Sequence, residues 1–68
     1  MVYGSGAKMV IKNKLGRIIG IKLRNGKSLC GRVVFEDDEL IILDQSTFYH
    51  SKLVRVLQSD IQKLVDEV

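Results

Sequence analysis

Asn25-Gly26 stands between two stretches of alternating apolar residues, and this dipeptide constrains the fold more than any other feature of the 68-residue chain. Before it, Ile19, Ile21 and Leu23 alternate with Gly20, Lys22 and Arg24, the period of a half-buried strand with a basic outer row. After it, from Lys27 to Glu36, Leu29, Gly31, Val33 and Phe35 fall on one face and Ser28, Cys30, Arg32 and Val34 on the other. Asn-Gly supplies the positive φ values of a tight type I′ turn, so the second strand is expected to return antiparallel. Gly31 sits in the middle of that strand, where glycine marks a point at which a small sheet bends sharply and closes on itself.

The rest of the chain continues in short pieces. Glu36-Asp37-Asp38-Glu39 breaks the apolar pattern as a turn, Leu40 to Leu43 is a dense apolar strand, and Asp44-Gln45-Ser46 turns again. Thr47 to His50 reads as a fourth strand and Leu53 to Leu57 as a fifth; five short strands imply a barrel. Two helices flank it in this reading. Met9, Val10, Ile11 and Leu15 lie at helical spacing ahead of Gly16, the place of a left-handed cap. Near the end, Ser59 and Gln62 form a capping box before the stripe Ile61, Leu64, Val65 and Val68. The expected layout is a flexible tail over 1–6, a barrel with its N-terminal helix over 7–58, and a C-terminal helix over 59–68.

Composition narrows the function classes. Residues 1–35 hold eight basic side chains and no acid; residues 36–68 hold all eight acids against Lys52, Arg55 and Lys63, so halves of +8 and −5 lie inside a net charge of +3. Folding these halves onto different surfaces would give a face positive enough to collect phosphates. One Cys and one His supply neither a disulfide nor the four ligands of a structural zinc site, and no cofactor is expected. Cys30 reads as a small buried thiol on a strand. Asp37 and Asp38 have no nucleophile, metal set or phosphate loop beside them, so they read as a turn and not as a catalytic pair. No apolar run reaches membrane-helix length and the first residues lack a secretory layout, which points to a cytoplasmic protein without membrane contact.

The pattern Ile19-x-Ile21-x-Leu23-x-x-Gly26-x-x-x-x-Gly31-x-Val33, followed by Asp37-x-x-Leu40-Ile41-Ile42-Leu43 and by Phe48 to Val56, resembles the two motifs of the Sm and Sm-like (LSm) family, in its archaeal and Hfq-like branches. The resemblance covers about residues 8–57. It implies a mainly β fold, a strongly bent five-stranded SH3-like barrel, whose fourth and fifth strands, the apolar edges Thr47 to His50 and Leu53 to Leu57, pair with neighbouring subunits in a homo-oligomeric ring of six or seven. It further implies single-stranded, U- or A-rich RNA as partner, held without catalysis by an RNA chaperone or ribonucleoprotein scaffold.

Within that frame Asp37 matches the family aspartate, and Tyr49 is the stacking candidate, with His50 and Lys52 beside it. The family positions filled here by Glu39, Ile41, His50 and Ser51 differ from the usual pattern, and the acidic run 36–39 would repel a phosphate backbone. Lys22, Arg24 and Lys27, with Arg32, offer a second, electrostatic route to RNA on the outer face of the first hairpin. Two other readings stay open: an adaptor that binds proteins through the acidic loop and the C-terminal helix, and a basic hairpin dimer that binds duplex DNA.

Overall fold

The computed structural model describes residues 10–67. Its elements are β1 (Ile18–Leu23), β2 (Ser28–Glu36), β3 (Leu40–Asp44), β4 (Leu53–Leu57), a three-residue 3₁₀ turn (Gln58–Asp60) and β5 (Ile61–Glu67). All neighbours are antiparallel, in the order β4-β3-β2-β1-β5.

The first hairpin forms where the alternation places it. Ile19 pairs with Gly31 and Ile21 with Leu29. Its turn differs from the expected one: Leu23 N–H donates to Lys27 O and Gly26 N–H to Leu23 O, so Arg24 to Gly26 make a three-residue loop. Gly26 has a φ of 92° and Asn25 does not share the left-handed region, whereas a type I′ turn needs both. The Asn25 carboxamide oxygen instead accepts from Lys27 N–H at 2.9 Å.

One face of the sheet carries the core. Ile19 and Ile21 of β1, Val33 of β2, Ile41 and Leu43 of β3, Val56 of β4 and Ile61 of β5 are buried in one cluster with Ile11. Each fully buried branched side chain contributes on the order of 2 kcal/mol of transfer free energy. Phe35 leaves the face on which alternation placed it. Val33 pairs with Leu43 but Phe35 with Ile42, so Val34 is an extra residue on β2, and beyond this bulge Phe35 is 44% exposed. Cys30, expected to be buried, is exposed because it lies on the outer face, opposite Gly20.

Gly31 is explained by a close approach and not by closure. A Cβ there would stand 2.9 Å from Asp44 O and 3.2 Å from Leu43 Cβ, so any side chain would push β3 away. No ladder joins β4 to β5, and the sheet is open. This overturns the barrel and, with it, the likeness to the Sm and Sm-like family. Glycine and apolar spacing specifies hairpins and an inner face, which an open sheet shares with a barrel; it does not encode how the outermost strands are matched.

Three element assignments are also corrected. Residues 10–15 are not helical, while 1–9, including the expected tail, lie outside the described residues. Ile11 drops into the core, and Asn13 and Lys14 donate backbone N–H groups to the Glu36 carboxylate at 2.6 and 2.9 Å. Thr47 to His50 is a loop: Thr47 N–H donates to His50 O, while its hydroxyl accepts from Tyr49 and His50 N–H. Residues 61–67 of the expected C-terminal helix are β5, paired along β1 from Ile61 to Glu67. A helix of nine residues is marginal in water, and the β1 ladder offers the same backbone groups long-range partners.

Candidate interaction edge

The open sheet has two edges of different character. β5 is interrupted twice. Gly20 pairs with Asp66 but Ile21 with Leu64, and Lys22 with Lys63 but Leu23 with Ile61, so Val65 and Gln62 are bulged residues. It also carries Lys63, Asp66 and Glu67. Bulges and charges are the usual means of keeping an edge from recruiting another strand.

β4 has no bulge and a single charge. Its five residues run in unbroken register beside β3, from Leu53 opposite Asp44 to Leu57 opposite Leu40, and Arg55 is its one charge. Two flanking bonds fix which backbone groups are free. Gln45 N–H donates to Lys52 O at 2.8 Å, and Gln58 N–H donates to Glu39 O at 2.8 Å. Hydrogen-bonded pairs alternate along an antiparallel ladder, so Val54 and Val56 turn their N–H and C=O groups toward β3. Leu53, Arg55 and Leu57 therefore point theirs outward. Their side chains are exposed as well, with Leu53 at 63% and Leu57 at 52%. Leu57 beside Leu40, and Phe35 beside Ile42, extend this apolar strip across the outer face.

The β3–β4 loop extends the same edge. Ser46 N–H donates to the Asp44 carboxylate, Lys52 N–H to the Ser46 hydroxyl, and the Thr47 turn closes the tip. The Ser46 bonds hold the Asp44 carboxyl below its ordinary range. On this braced tip Phe48 and Tyr49 are 94% and 85% exposed, edge to face with ring centroids 5.2 Å apart. Two aromatic rings held out in water on a hydrogen-bonded loop are characteristic anchors of a binding surface.

The residues singled out for RNA do not converge. Tyr49, His50 and Lys52 lie beyond the Asp44–Leu53 end of the β3–β4 pair, and Asp37 lies beyond the Leu40–Leu57 end. Five strand residues, about 17 Å, separate them. The Asp37 carboxylate is engaged: it accepts from Leu40 and Glu39 N–H, both at 2.8 Å, and these bonds hold its pKa below the ordinary value. Arg24 is turned to the 3₁₀ segment, its Nε donating to Ser59 O at 2.9 Å. Lys22 pairs with Ser28 and Lys63 on the outer face, and Lys27 is exposed at the hairpin. The open sheet, together with an occupied aspartate, overturns the reading as an Sm-like RNA chaperone or ribonucleoprotein scaffold.

Leu53, Arg55 and Leu57, which the sequence reading passes over as site residues, are marked only by their alternation with Val54 and Val56. Among the described residues no group of three or more His, Cys, Asp or Glu side chains could hold a metal ion, and no helix is long and apolar enough to cross a membrane. No family model matches the chain, and neither the curated proteins nor the solved structures compared with it include a match.

Proposed function

We propose that this chain is a non-catalytic protein-interaction module that takes up an extended strand of a partner along β4. The difference between its two edges carries the reading. β5 is bulged and charged, whereas β4 offers an uninterrupted row of outward N–H and C=O groups between exposed leucines. In strand addition the backbone bonds supply affinity, and alternate side chains supply choice of partner. Leu53 and Leu57 are the contacts for apolar side chains, and Phe48 and Tyr49 anchor the partner beyond the ladder.

A soluble peptide of alternating threonine and valine, seven residues long, tests this directly. Added to isotope-labelled protein, it should shift and protect the amides of Leu53, Arg55 and Leu57. Arg55→Pro should abolish the effect while leaving the fold intact, because Arg55 N–H makes no bond to β3 and proline is tolerated at such edge positions. Shifts confined to β5, or binding undiminished by Arg55→Pro, would overturn the reading.

A further inference from the structure

We infer that the strand β4 accepts is the β4 of a second copy of this chain, paired antiparallel across a twofold axis in a register centred on Arg55. The inference rests on the strand-addition reading and names its partner.

The segment Leu53-Val54-Arg55-Val56-Leu57 reads the same in both directions. Antiparallel pairing of two copies therefore sets Leu53 opposite Leu57 of the second copy, Val54 opposite its Val56, and Arg55 opposite its Arg55. This is the self-complementarity that a twofold interface requires. The register also suits the backbone. Leu53, Arg55 and Leu57 have the outward groups, and they face one another, so each of these pairs can exchange two hydrogen bonds. Leucines meet leucines on the outer face and valines meet valines on the core side. The two open sheets become one continuous sheet, and both unguarded edges disappear.

The placement of Lys52 agrees with this direction of pairing. Lys52 lies just before β4 and is the one Lys or Arg of its loop, with Asp44 at the same end opposite Leu53. Asp38 and Glu39 border a groove with Leu57 and Ser59 at the other end, and Asp60 follows it. Antiparallel pairing brings Lys52 of each copy to the end of the other that holds Glu39 and Asp60, Asp38 there being already paired with Lys12 at 3.4 Å, with Phe48 and Tyr49 reaching along the 3₁₀ segment of the second copy. The one opposing feature is Arg55, whose guanidinium would face its own counterpart. Like charges directly opposite in a ladder weaken it, which makes the pairing reversible and supplies a specific probe.

Mixing the wild-type protein with Arg55→Glu exploits that probe. Arg55 opposite a glutamate is attractive, while both parent pairings are repulsive. Native mass spectrometry of the mixture should show the mixed dimer favoured about tenfold over either parent dimer, a preference that added salt reduces. Arg55→Pro should stay monomeric. A statistical mixture of dimers, a closed ring of more than two copies, or a chain that stays monomeric at millimolar concentration would overturn the inference. A monomer that still binds the threonine-valine peptide along β4 removes the twofold pairing and leaves strand addition standing; loss of both removes both.

Discussion

β4 and β5 end the same sheet, yet only β5 is defended. Its two bulged residues, Gln62 and Val65, interrupt the row of backbone groups, and Lys63, Asp66 and Glu67 charge it. β4 keeps strict register with β3 and exposes two leucines. An edge left flat and apolar in a small domain is either an aggregation hazard or a surface with an intended partner. The contrast within one chain favours the partner, because the same sequence shows the means of protecting an edge and applies it on one side only.

The N-terminal segment ties the two sides together with anchors as different as the edges. Next to β4 the tie is buried: Gln58 Oε1 accepts from Ile11 N–H at 3.0 Å, and its Nε2 donates to Ile11 O and Asp37 O at 3.0 and 3.2 Å. At the end of β5 it is exposed: Glu67 accepts from Lys14 Nζ at 2.7 Å and from Arg17 Nη1 at 3.2 Å. Buried bonds whose partners would be left unsatisfied cost far more to break than exposed ion pairs.

The largest expected effect follows from the buried anchor. Gln58→Leu strands the Ile11 N–H and C=O and the Asp37 C=O, and should lower stability by roughly 3–5 kcal/mol, read as a reduced midpoint in urea unfolding. An intact midpoint would mean that the segment is held by Ile11 packing alone. A middle effect is expected from undoing the defences of β5. Lys63→Val with Asp66→Val should leave the fold in place but cause concentration-dependent association through β5, visible in sedimentation. Should the double variant sediment as the parent does, the bulges alone would be sufficient protection.

The smallest effect concerns the exposed anchor. The hydrogen bond from Lys14 outweighs the opposing effect of desolvation and, with the smaller attractions of Lys14 and Arg17, holds the Glu67 carboxyl below its ordinary value of 4.5. A carboxyl lowered on folding stabilises the folded state above its unfolded pKa, and that contribution is lost as pH falls through the lower folded value. The protection of the Arg17 amide, taken relative to its intrinsic exchange rate at each pH, should therefore fall below about pH 4.5. In Glu67→Gln this acid dependence should be absent.

Much of the sheet was legible in the residues. The alternation of Ile19, Ile21 and Leu23, the turn at Asn25-Gly26 and the apolar run Leu40 to Leu43 place β1, β2 and β3 within a residue or two of their observed limits. Residues 61–67 were misread because Ile61, Leu64 and Val65 fit a helical stripe, and the bulges at Gln62 and Val65 hide the two-residue period of a strand. Thr47 to His50 has strand-forming residue types, but the Thr47 hydroxyl satisfies the local backbone as a turn. The candidate edge was half legible. Leu53 to Leu57 is expected as an apolar edge strand that pairs with neighbouring copies, but that it ends an open sheet, and that the opposite edge β5 is blocked, depends on tertiary structure.

By itself the sequence determined what is local: where the chain turns, which side chains of β1 face inward, and that no acid occurs before Glu36. Tertiary structure decided what depends on distant partners. It selected strand over helix for residues 61–67, turned Phe35 outward at a bulge, drew Ile11 into the core on the Gln58 hydrogen bonds, and left β4 and β5 unjoined. The physical reason is that side-chain period and turn chemistry act over a few residues, whereas an edge is defined by a missing neighbour, and no local pattern records which strand will lack one.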